Sequence, residues 1–84
     1  MKEINEGYEI IAAEAYRINN KGRKDRIVLG RKETRLGTMF VTWESLEQPQ
    51  EDGSTRLDYF WGHYHSDGKE AYADYHRRLL EHYE

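Results

Sequence analysis

Apolar and polar residues recur along this chain in short blocks separated by turn-forming residues. From Tyr8 to Ile18 the block has two possible periods. As a strand, Tyr8, Ile10, Ala12, Glu14, Tyr16 and Ile18 face one way, and Glu9, Ile11, Ala13, Ala15 and Arg17 the other. As a helix, its Ala/Glu content is favourable, and Asn20 to Gly22 would stop it. The strand is the preferred reading. Asn19-Asn20-Lys21-Gly22 is strong turn chemistry, and the β-branched run Arg26-Ile27-Val28-Leu29-Gly30 follows it, as in a hairpin.

A second turn falls near Glu33 to Gly37, and Thr38 to Glu44 reads as a third strand. Ser45 to Thr55 holds the only proline, Pro49, among Gln, Glu, Asp, Gly and Ser, and reads as a long exposed loop. Leu57 to Tyr64 is the fourth strand, rich in aromatics suited to a half-buried pleated surface. Alternation puts Phe60, Gly62 and Tyr64 on one face and Tyr59, Trp61, His63 and His65 on the other, and Gly62, without a side chain, marks either a bulge or the point where the helix backbone comes close. Ser66 or Asp67 can cap a final helix. Its apolar stripe is Ala71, Tyr72, Tyr75, Leu79 and Tyr83, and Glu70, Asp74, Arg77, Arg78 and Glu81 lie opposite. Asp74 and Arg78 form a favourable i,i+4 pair. Met1 to Gly7 reads as a frayed start.

The expected fold is α+β: an antiparallel meander of three or four strands packed against one C-terminal amphipathic helix, in the order β-β-β-β-α, as one domain over residues 1–84. An isolated helix of this length is marginal in water, so it must cover a sheet face. The pattern leaves open which face. Trp43 and either Phe60 or Trp61 are expected to share the core with Tyr75 and Leu79.

Composition narrows the function. A chain of 84 residues has a small core and no room for a deep, walled catalytic pocket. Without cysteine there are no disulfides, thiolate nucleophiles or cysteine-ligated zinc. No apolar run has the length of a signal segment or membrane span, so a cytoplasmic protein without membrane contact is expected. The net charge of −3 hides an asymmetry. Residues 17–35 carry eight Lys/Arg against Asp25 and Glu33, a balance of +6, whereas residues 39–84 balance at −6.

The phrases Phe40-Val41-Thr42-Trp43-Glu44 and Tyr59-Phe60-Trp61-Gly62-His63-Tyr64, followed by Ala71, Asp74 and Arg77, resemble a small uncharacterised domain family of Firmicutes mobile genetic elements. The resemblance spans roughly the C-terminal half, with Val28-Leu29-Gly30 before it. It implies a cytosolic accessory protein of such an element and assigns no catalytic residue.

Three chemistries are candidates. Arg17, Lys21, Arg23, Lys24 and Arg26 on the hairpin could follow a phosphate backbone, or could be a solvated edge that resists aggregation. Tyr59 and Trp61, with the histidines, could form a stacking surface if the helix leaves them bare. His63-Tyr64-His65-Ser66-Asp67 has the form HxHxD, and two histidines at i,i+2 can chelate zinc with Asp67 or His76 as a third ligand. The bland alternative is a packing pair with Asp67 as helix cap. No nucleophile–base set or phosphate-cradling loop occurs. The preferred expectation is a non-enzymatic accessory or binding module, without cofactor, that presents this surface to a protein partner. A nucleic-acid-binding domain using residues 17–35 is the alternative, and metal binding is the remote one.

Overall fold

The computed structural model describes residues 2–83. Five strands pair in sequence order as one antiparallel meander: β1 (Ile4–Asn5), β2 (Tyr8–Ile18), β3 (Lys24–Thr34), β4 (Gly37–Pro49) and β5 (Thr55–His65). Helix α1 (Gly68–Tyr83) follows. The α+β class, the antiparallel meander and the C-terminal helix agree with the sequence pattern. Residues 8–18 are strand, closed by an Asx turn in which Asn19 Oδ1 accepts from the Lys21 and Arg23 amides at 2.9 Å.

The sheet is larger than expected, with five strands. Ile4 and Asn5 pair with Glu9 and Tyr8 through a turn that holds Glu6 and Gly7 at positive φ, so this segment is an edge strand and not a frayed start. The expected loop at 45–55 is mostly strand. β4 runs on to Pro49 and β5 begins at Thr55, which leaves a short turn between them. Polar residues extend β4 because their partners are also polar: Arg26 Nη2 donates to Ser45 Oγ at 2.9 Å, and Lys24 lies 3.6 Å from Glu47.

Each sheet face carries its own core. On one face, Ile27 and Leu29 pack with Ala71, Tyr75 and Leu79 of α1, joined by Ala12, Tyr16 and Phe40. The helix begins where the Asp67 side chain caps the Lys69 amide at 2.9 Å and Gly68 lies against Phe40. On the other face, Tyr8, Val28, Val41 and Trp43 form a second cluster with Ile10, Met39 and Tyr59. No helix covers it. The sheet curls instead, so that side chains near β1 reach β5: Tyr59 donates to Glu3, and Tyr64 to Glu6 at 3.2 Å. Trp43 therefore belongs to the second core and does not join Tyr75 and Leu79, while Phe60 and Trp61 lie at the surface.

Lengths decide what the helix hides. Sixteen helical residues span about 24 Å, whereas the 13 residues of β4 span about 43 Å. The helix reaches from Phe40 to Tyr16, whose ring stacks on His82 at 3.7 Å. Beyond that point the helix-side face continues uncovered.

Candidate functional site

The site is built around an irregularity in β5. Thr42 pairs with His63 and Glu44 with Phe60, so Trp61 and Gly62 together stand opposite the single residue Trp43. This is a β-bulge, and one extra residue moves every later side chain to the other face. Phe60 consequently shares the helix side with His63 and His65, and Tyr59 shares the opposite side with Tyr64, contrary to the face assignment expected from sequence. Trp61 takes the left-handed conformation at φ 52° and is 75% exposed. A non-glycine residue there costs roughly 1–2 kcal/mol, so the surrounding structure must hold it.

A buried polar network does so. Arg78 of α1 donates to the Trp61 carbonyl at 2.9 Å and to the Thr42 carbonyl and hydroxyl at 3.1 and 3.0 Å. The Thr42 hydroxyl donates in turn to Asp74, which also meets Arg77 and, at 2.9 Å, His63 Nδ1. Asp74 is only 2% exposed. Burial pushes its carboxyl up, but the hydrogen bonds from Thr42 and His63 and the charge of Arg77 outweigh this and hold it down at about 2. Asp74 and Arg78 are thus inside, not on the outer face, and they bond to the sheet in place of each other.

The sequence pattern names this pair but puts it on the outer face, although a signal of its burial existed. Positions 71, 74, 75, 78 and 79 follow the i, i+3, i+4, i+7, i+8 rule of a buried stripe, and all five are buried. Two are ionisable because Thr42 and His63 face them with polar groups.

The two strand histidines face the helix. His63 and His65 converge on Asp74, with His65 Nε2 at 3.5 Å, while Asp67 caps the helix and His76 is exposed beside Tyr75. Among the described residues no group of three or more such side chains could hold a metal ion.

The basic hairpin is divided. Arg26 is buried beneath the second face, where it pairs with Glu3 at 2.8 Å. Burial raises the Glu3 carboxyl, but hydrogen bonds from Arg26 and Tyr59 win and lower it. Tyr59 belongs to that network and is not part of an open stacking surface. Lys24 leans on Glu47, and Lys21 is exposed in the turn. Arg17 and Arg23, by contrast, reach Asp25 on the helix side. They line a groove of about 540 Å³ with Tyr16, Leu46, Phe60 and Trp61. Two surfaces that the sequence kept separate, the hairpin end and the aromatic strand, meet here.

Gly62 gives a direct check on the bulge. A Cβ there would lie 2.7 Å from Trp43 Nε1, and the Trp43 ring is packed in the second core. Gly62→Ala is expected to cost about 1–3 kcal/mol in urea denaturation through overpacking. An unchanged midpoint would mean that the bulge is looser than described.

The architecture is therefore a curled antiparallel meander with a bulged edge strand, backed over part of one face by a single helix. No protein-family model, curated protein or solved structure matches the chain. No helix among the described residues is long and apolar enough to cross a membrane.

Proposed function

We propose that this domain is a non-enzymatic protein-binding module, and that the groove beside Trp61 is its docking surface. The observation that supports this best is Trp61 itself. It is a large aromatic side chain held 75% exposed in a disfavoured backbone conformation, with its carbonyl fastened by a buried arginine. Tryptophans set beside apolar surface are the usual anchors of protein interfaces. Phe60, 47% exposed, extends the patch.

The polar residues nearby are committed elsewhere. Asp74 and His63 resemble an acid–base pair, but Asp74 is saturated by Thr42, His63 and Arg77, and the hydroxyl that adjoins it, on Thr42, is fully buried. Nucleic acid is the weaker reading. Arg31, Lys32 and Arg35 lie at the far end of β3 from Arg23, about 30 Å away, so the basic set does not form one track. An accessory role in a mobile genetic element rests on the sequence resemblance alone.

A photo-crosslinking amino acid placed at position 61, and separately at the fully exposed Leu36 on the β3–β4 turn, tests the proposal in the native cytosol. Position 61 is expected to give discrete protein adducts that position 36 does not. Equal, diffuse labelling at both, or specific turnover of a small molecule abolished by one substitution, would refute it.

A further inference from the structure

The uncovered end of the sheet has a charge pattern that specifies its occupant. Register fixes which side chains share it. Arg17 pairs with Asp25, Asp25 with Leu46 and Leu46 with Asp58, and Phe60 and Glu44 form the next row toward the helix. Cross-strand partners lie on one face, so these side chains form a single shelf beyond the helix C-terminus.

Its charges do not balance. Arg17 and Arg23 both lean on one carboxylate, Asp25, each at 3.5 Å, and their side chains are 71% and 48% exposed. Arg56 is answered by Asp58 at 3.0 Å. Glu44 is answered from below by Arg78 at 3.6 Å. Among the described residues one guanidinium is left over at the rim, beside an apolar floor of Leu46, Phe60 and Trp61.

We infer, building on the docking role proposed above, that the shelf takes a peptide segment of a partner protein that combines an aromatic or branched aliphatic side chain with a neighbouring carboxylate. The apolar side chain covers Phe60 and Trp61. The carboxylate meets Arg17 and Arg23, whose planar forks accept bidentate pairing. A second, half-neutralised arginine held in place by Asp25 is already oriented for this, which reduces the ordering cost on binding. A nucleic-acid strand fits the same surface poorly. Its regularly spaced phosphates would meet Asp25 and Asp58 on the shelf, and the exposed Glu51 and Asp52 of the β4–β5 turn at its end.

The test is a selection of a random twelve-residue peptide display library on the immobilised full chain, on Trp61→Ala and on Arg17→Glu/Arg23→Glu, with a labelled oligothymidine measured in parallel. All three changes are at exposed positions, and circular dichroism melts check that the variants fold. The neutral pair Arg17→Gln/Arg23→Gln replaces the reversal if that variant unfolds. Selected peptides are expected to carry an aromatic or aliphatic residue next to Asp or Glu, and to bind Arg17→Glu/Arg23→Glu about tenfold or more weakly. The reversed variant should select Lys- or Arg-containing peptides instead. Trp61→Ala should lose both sets. Peptides that need Trp61 but show no acidic bias would overturn the charge inference and leave the docking role standing. Selection of nothing that depends on Trp61 would overturn both. Tighter binding of oligothymidine than of any peptide, lost on arginine reversal, would overturn both in favour of nucleic acid.

Discussion

Asp74→Ala is expected to destabilise the domain by about 3–5 kcal/mol, the cost of breaking a buried charge network by removing one partner. The carboxylate is almost wholly buried and joins the helix to the sheet through Thr42 and His63. Its loss leaves the Thr42 hydroxyl without its acceptor and the buried Arg78 guanidinium with less negative charge nearby. A domain of this size has a total stability of roughly 4–13 kcal/mol, so the variant should be partly unfolded in mild urea. Acid supplies a second signature. The folded carboxyl sits at about 2, below its ordinary value of 3.8, so its contribution is complete above pH 4 and is lost as pH falls toward 2. A separation of that size corresponds to about 2 kcal/mol. Asp74→Asn keeps the shape and removes this step, so the difference in stability between parent and Asp74→Asn should narrow from pH 5 to pH 2. Because Arg78 holds the Trp61 carbonyl, amide exchange around residues 60–63 should also quicken in Asp74→Ala. Urea midpoints within error of the parent at pH 7 would mean that the network does not fasten the helix.

That network marks the boundary between what the chain's pattern discloses and what it hides. The strands at Tyr8–Ile18 and Thr38–Glu44, and a helix starting after Asp67, are legible because alternation, turn residues and a capping carboxylate act within a few residues of each other. A two-residue strand such as Ile4–Asn5 has no period to detect and exists only through its pairing with Tyr8 and Glu9. The polar end of β4 reads as loop because its stabilising partners, Lys24 and Arg26, are about 20 residues away. The bulge is the most consequential feature legible only in part, since a glycine inside a strand, Gly62, marks either a bulge or a close backbone approach without deciding between them. One unpaired residue leaves no periodic trace, yet it moved Phe60 to the helix side and turned Trp61 outward, which is what creates the candidate site. Of the residues singled out from sequence for a binding surface, Arg17, Arg23 and Trp61 meet at the groove. Arg26, Tyr59 and His63 are hydrogen-bonded to Glu3 or Asp74, and His65 is turned toward Asp74, its Nε2 3.5 Å away. Composition cannot separate an arginine that waits for a partner from one already spent on a carboxylate two strands away.

The helix-side core gives the second large effect. Leu79→Ala is expected to cost about 2–4 kcal/mol, the range for removing a buried leucine side chain from a packed cluster. Leu79 is 4% exposed and packs in one group with Ile27, Leu29, Ala71 and Tyr75, so it ties the last turns of α1 to the centre of the sheet. Little can collapse into the space it leaves, because Ile27 and Leu29 are fixed by ladder pairing on both sides. The thermal midpoint should fall by about 10 °C or more for a domain of this length. Leu80, its neighbour, is 62% exposed and provides the internal control: Leu80→Ala should stay within about 0.5 kcal/mol of the parent. The pair of measurements separates docking from intrinsic helix propensity, since both substitutions replace leucine by the better helix former. Should Leu79→Ala melt with Leu80→Ala and the parent, the helix would not be packed on Ile27 and Leu29, and the uncovered shelf beyond its end would have no defined edge.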